Sequence, residues 1–157
     1  MNRLQLRRTL GWRKSEGAVI VSRPGFWGNP WEPGEAWPEG RERPARIHVP
    51  TLGRGWHGSG LLRCMLTATD AVRLHREWLR TGRAILPPRL TDEKRQWLVD
   101  CLAHRRIAVI DSLPSLAGRD LLCFCPPGAP CHGDTLLALA AEGRAGAFYP
   151  DLFATDA

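Results

Sequence analysis

Between positions 123 and 132 the chain carries three of its five cysteines and one of its five histidines, in the run CFCPPGAPCH. Thiols and imidazole are the side chains that ligate soft or borderline metal ions, attack electrophiles and move protons near neutral pH. Asp134 follows two residues later. An apolar run, LLCFC at 121–125, leads into the cluster as a candidate strand, and a Leu/Ala run with helical spacing follows it from about 132 to 142. The pattern predicts a buried strand, a Pro/Gly turn, and a helix whose first turn carries Cys131, His132 and Asp134.

Three chemistries compete for this cluster. In the first, Cys131 as thiolate or His132 as acid–base acts at the helix N-terminus, where the dipole lowers a thiol's pKa, and Asp134 orients the histidine. In the second, Cys123 and Cys125, on one face of the strand, join Cys131 or His132 around zinc. The ordinary knuckle spacing is C-x-x-C, however, and adjacent Cys131 and His132 reach one ion only with strain. In the third, Cys123 and Cys125 are core residues and Cys131 caps the helix, since cysteine is among the most buried residue types. Cys64 and Cys101 stand alone and read as core.

Elements that would position the cluster lie at the other end of the chain. Residues 17–22, GAVIVS, form a β-branched run bounded by Gly and Pro, the pattern of a buried strand. The following RPGFWGNPWEP must be loop. If the two strands are parallel, their outgoing loops share the sheet edge where open α/β folds bind ligands. Arg23, Gly28 and Asn29 are then the ligand-binding candidates beside Cys131 and His132. Trp27 and Trp31 read as anchors pinning this loop to the domain.

Between these ends, Thr69 is a candidate N-cap for a helix to about Thr81, with Ala71, Val72, His75, Trp78 and Leu79 on its apolar stripe. His75 there reads as a satisfied core histidine. A second helix starts at Thr91 with stripe Trp97, Leu98, Cys101 and Leu102; residues 105–110 suit either its continuation or a strand. Strands separated by helices, without internal repeats, indicate an α/β fold: a single domain with a short, mostly parallel sheet, helices on both faces and Rossmann-like layering. We divide the chain into a basic arm (1–16), the α/β domain (17–145) with a Gly/Pro-rich insertion at 32–60, and a tail (146–157). Within the insertion, 45–50 suits an edge strand.

The chain has 157 residues, 43% hydrophobic and 24% charged, a globular composition. No aliphatic run spans a bilayer, no apolar segment follows the basic N-terminus, and an odd cysteine count suits a reducing compartment, so cytoplasm is expected. The net charge is +6. Most of it falls in the first 30 residues, which suggests a nucleotide or nucleic-acid partner or a solvated arm.

The segments 7–31, RRTLGWRKSEGAVIVSRPGFWGNPW, and 116–140 resemble the domain of unknown function 4326 family of bacterial and phage proteins. The matching positions are Arg8, Gly11, Trp12, Gly17, Arg23, Gly28, Asn29 and Pro30, then Gly118, Cys123, Cys125, Cys131, His132 and Asp134. The central AVRLHREWL at 71–79 matches as well. Ser15, Ser22, Trp31 and His75 stand where the family usually has proline, glycine, phenylalanine and an aromatic. The resemblance implies a small α/β domain and supplies no activity.

Function is therefore read from the site. The leading expectation is an enzyme or binding domain for a nucleotide, nucleoside or nucleic-acid-linked substrate, with hydrolysis or group transfer as the reaction. The alternatives are a zinc-stabilised, non-catalytic nucleic-acid-binding module, and a phage accessory protein that contacts a host protein through its Trp-rich segment 27–56.

Overall fold

The computed structural model describes residues 1–36, 42–43, 45–50, 56–61 and 66–142. Its centre is β8 (Leu121–Cys123), a strand with all three residues buried. It pairs in parallel with β1 (Arg3–Gln5) on one side and β2 (Val19–Ile20) on the other. Leu121 lies opposite both Arg3 and Val19, and Leu122 opposite Leu4 and Ile20. The ladder extends past the strand ends through Leu6 N–H to the Cys123 carbonyl at 2.8 Å and Val21 N–H to the Leu122 carbonyl at 2.9 Å. Both expected strands are thus present and parallel, each shorter than its apolar run. The N-terminal segment, read as a basic arm, supplies the third strand. Three residues with one leucine have no periodicity, and only pairing with β8 makes them a strand.

The insertion builds a second, antiparallel sheet in the order β3 (Trp31–Glu32), β6 (Arg46–Pro50), β7 (Trp56–Leu61). A small ladder joins β4 (Glu35–Ala36) and β5 (Glu42–Arg43). The 45–50 strand was expected, but it is the middle strand of three rather than an edge. Cys64, Trp37 and its neighbours to 41, residues 51–55 and the tail 146–157 lie outside the described residues.

Helix α1 (Ala68–Thr81) is capped by Thr67, two residues before the expected Thr69. Thr67 and Asp70 form a reciprocal capping box, in which the hydroxyl accepts from Asp70 N–H at 3.1 Å and the carboxylate from Thr67 N–H at 3.0 Å. Gly82, at φ 77°, ends the helix in the left-handed region that favours glycine. Helix α2 (Asp92–Ser112) runs through 105–110, which settles that segment as helix. Its buried face is Leu98, Leu102, Arg105, Arg106, Val109 and Ile110. Trp97, expected on this face, is 45% exposed. The inward face carries two arginines, so a reading by apolarity rotates the helix away from its true orientation. A 3-10 turn, Leu113–Leu116, leads to β8, and α3 (His132–Ala141) closes the domain against α1. Three helices on a short parallel sheet with a small antiparallel sheet make this a mixed α/β fold. Among the described residues no helix is long and apolar enough to cross a membrane.

Buried guanidinium groups do structural work that apolar patterning does not register. Arg106 donates from Nε to the carbonyls of Trp78 at 2.8 Å and Leu79 at 3.0 Å, and so caps the last turn of α1 from a neighbouring helix. Arg105 donates to the carbonyls of Phe26 and Gly28 in the loop after β2. Burial lowers its pKa to about 10, which leaves it cationic at neutral pH.

Candidate metal and ligand site

Because β2 and β8 are parallel, the loops that leave them face the same cavity. Arg23, Asn29 and Trp31 line it from the first loop, and Cys123, Cys125 and Cys131 from the second. Its volume is about 210 Å³. Ala68, Ala71 and Val72, in the first turns of α1, form an apolar wall. The two-loop convergence expected from the sequence is therefore realised.

Polar groups in the first loop are turned inward to hold its own backbone. Asn29 is 3% exposed; its Nδ2 donates to the Ala71 carbonyl at 2.9 Å, and its Oδ1 accepts from Trp31 N–H at 2.9 Å. Arg23 donates from Nη1 to the carbonyls of Trp31 at 2.9 Å and Asn29 at 3.3 Å. A Cβ on Gly28 would lie 3.0 Å from the Arg23 backbone, so this position admits only glycine without a shift. Arg23, Gly28 and Asn29, read as ligand-gripping residues, thus build the cavity's rim. Trp31 is fully buried and donates from Nε1 to the Ile85 carbonyl at 3.2 Å, and Trp27 is 9% exposed, the anchoring roles expected of both.

The second loop is held by Arg3. Its guanidinium donates to Asp134 Oδ1 at 2.8 Å and to the carbonyls of Pro126 and Ala129 at 3.2 Å and Cys125 at 3.4 Å. Sequence reasoning missed this residue; its only signal was a basic residue in a segment without periodicity. The contact also corrects the expected dyad. Asp134 pairs with Arg3, whereas His132 makes its ring hydrogen bond from Nε2 to the Val21 carbonyl at 2.7 Å. The carbonyl that ends β2, rather than the carboxylate, orients the imidazole.

Cys123, Cys125 and Cys131 place their Sγ atoms all within 4.8 Å of one another, with Cys123 and Cys125 3.5 Å apart. Strand alternation puts 123 and 125 on one face. The Pro126–Pro127–Gly128 turn, with Gly128 at φ 76°, then returns the chain so that Cys131 caps α3, its Sγ accepting from Gly133 N–H at 3.4 Å. The capping role weighed from the sequence is present, together with the cluster. Hydrogen bonds from the thiols of Cys125 and then Cys131 hold Cys123 far below the ordinary thiol range. Cys131 is correspondingly pushed up, by sharing with Cys123 and then Cys125. This sharing favours the thiolate on Cys123 over Cys131, where the helix dipole was expected to favour it.

These three cysteines could hold a metal ion. The set expected from the sequence also included His132, but among the described residues no fourth ligand atom joins the group. His132 instead packs edge-on against His75, ring centroids 5.4 Å apart. His75 is 1% exposed and its Nδ1 has no hydrogen-bond partner, so it is core but not satisfied. Burial, then the neighbouring His132, lowers its pKa well below the ordinary histidine value. Cys101 is half-buried on α2 and remote in sequence from the cluster. The Arg8 guanidinium lies 4.7 Å over the ring of Phe124, a residue of the cavity lining that is 38% exposed.

Comparison with curated proteins and with solved structures gives no match. The family model described as domain of unknown function (DUF4326) matches residues 4–142, nearly the whole chain, with all three cysteines, His132 and Asp134 inside the match and Arg3 just before it. The chain belongs to the DUF4326 family.

Proposed function

We propose that this domain binds one zinc ion through Cys123, Cys125 and Cys131, at the side of a small-molecule cavity. One observation carries the reading: three sulfur ligands from β8 and the start of α3 lie within 4.8 Å of one another. Bonds of about 2.3 Å to a tetrahedral ion separate the sulfurs by about 3.8 Å, so only small movements close the site. Soft thiolates favour zinc over magnesium or calcium. Arg3 and the N-terminus of α3 offset the negative charge of three thiolates. Elemental analysis of protein purified without added metal should give about one zinc per chain. Cys123→Ser, Cys125→Ser and Cys131→Ser should each lower that value, and chelation should lower the melting temperature. A metal-free protein whose melting is indifferent to both zinc and chelator would overturn the reading.

A second reading concerns the occupant of the cavity, a nucleotide- or nucleoside-type ligand. The observation favouring it is position: the cavity opens at the carboxyl ends of two parallel strands, with an aromatic ring in its lining and a guanidinium over that ring. Melting curves recorded with a panel of nucleosides and nucleotides test it. Saturable stabilisation by one member, lost in Phe124→Ala, supports it; a flat panel removes it.

A further inference from the structure

Resting on the zinc reading, we infer that the metal's fourth ligand is an exchangeable small molecule held in the adjoining cavity, and that this cavity selects a neutral heteroaromatic nitrogen donor. The argument begins with counting. Zinc bound by protein takes four ligands, and sites with three protein ligands keep the fourth position for water or substrate. Among the described residues the three cysteines form the whole group. Neither nearby alternative joins the group: Asp134 is paired with Arg3, and His132, whose Nε2 donates to the Val21 carbonyl, places no ring nitrogen within 4.8 Å of all three sulfurs. All three cysteines line the same cavity, so the open position and the cavity share one space.

Charge and shape then narrow the ligand. Zinc with three thiolates carries a net charge of −1, and an anionic fourth ligand raises it to −2 beside a largely apolar wall. Two guanidiniums stand by the site: Arg3 is spread over Asp134 and three carbonyls, and Arg23, in the cavity lining, donates to the carbonyls of Trp31 and Asn29. A neutral donor avoids that cost. The apolar lining is formed by Pro33, Ala68, Ala71, Val72 and Phe124 beside the fully buried Trp31, a surface suited to a flat apolar body. The volume of about 210 Å³ equals the liquid share of about seven waters, enough for one or two fused rings.

Cobalt(II) in place of zinc makes the inference visible, because its visible bands report the ligand shell. The probes are imidazole and benzimidazole, with azide and 2-mercaptoethanol as anionic comparators. Imidazole and benzimidazole should shift the bands saturably, benzimidazole at least tenfold more tightly through its extra ring. Azide and the thiol should have little effect at the same concentrations. X-ray absorption of the zinc protein should give three sulfurs and one nitrogen or oxygen. His132→Gln, which keeps a donor for the Val21 carbonyl, should leave that shell unchanged. Ala68→Trp, entering the cavity from an exposed helix start, should abolish the benzimidazole response while zinc content stays at one per chain. A four-sulfur shell, a shell altered by His132→Gln, or bands indifferent to every probe would overturn the open site while leaving the zinc reading intact. A stronger response to azide or thiol than to benzimidazole would overturn the donor class. Absence of any metal binding would remove the zinc reading and this inference together.

Discussion

Replacing Arg3 by methionine keeps the apolar stem of the side chain and removes only the guanidinium, so its effect can be worked from four contacts. The first is the ion pair with Asp134; the side chains are 12% and 51% exposed, which puts it in the surface class, at about 0.5–1 kcal/mol. The other three are hydrogen bonds to the carbonyls of Pro126, Ala129 and Cys125 at 3.2, 3.2 and 3.4 Å. Charged hydrogen bonds of good geometry contribute about 1.5–3 kcal/mol, and these long ones about 0.5 kcal/mol each. The total is about 2 kcal/mol, or a fall in melting temperature of about 4–8 °C for a chain of this size. Because those carbonyls belong to the turn between Cys125 and Cys131, zinc affinity should fall about tenfold if 1.4 kcal/mol of the ordering energy is drawn from binding. Urea unfolding and competition with a chromophoric chelator measure the two effects separately. Asp134→Asn provides the control, and by itself should cost under 1 kcal/mol. An Arg3→Met loss below 0.5 kcal/mol, or one fully reproduced by Asp134→Asn, would refute the view that Arg3 acts by holding the turn's carbonyls.

Asn29→Ala should destabilise the fold by about 1–3 kcal/mol, since it strands the buried Trp31 N–H, while the Ala71 carbonyl keeps its bond within α1; urea unfolding reads the loss, and a change below 1 kcal/mol would contradict the rim-building role. Thr67→Ala removes the side-chain acceptor of the capping box and should cost about 1 kcal/mol in the same assay, with Thr69→Ala near zero. Acid should weaken the fold through His75, whose pKa in the folded state lies well below its unfolded value near 6.5. In that window only the unfolded chain takes up the proton, so the contribution is complete above about pH 6.5 and lost as pH falls, with a slope of up to about 1.4 kcal/mol per pH unit. His75→Phe should flatten the stability–pH profile between pH 6.5 and 5; an unchanged slope would show that His75 is protonated in the folded state.

Local signals carried the sequence a long way toward this structure. The runs GAVIVS and LLCFC announced strands because apolar stretches bounded by Gly and Pro have few other stable placements. The 3.6-residue spacing announced α1 and α3. Clustering of Cys123, Cys125 and Cys131 marked the site, since side chains at most eight residues apart around a Pro/Gly turn meet whatever the rest of the chain does. Parallel strands and a shared cavity followed once those two strands were assumed to be neighbours, an assumption the tertiary structure was needed to replace with a register.

What the tertiary structure alone decided are the long-range polar contacts. Arg3 reaches Asp134 across 131 positions and Arg105 reaches Gly28 across 77, and no periodicity encodes such pairs. Their consequence is chemical: Asp134 is drawn to Arg3 and the His132 ring is oriented by the Val21 carbonyl, so among the described residues only the three sulfurs come together. The location of the thiolate is likewise a tertiary fact. It depends on how the three sulfurs share protons, and their mutual distances are set by strand face and turn geometry acting together.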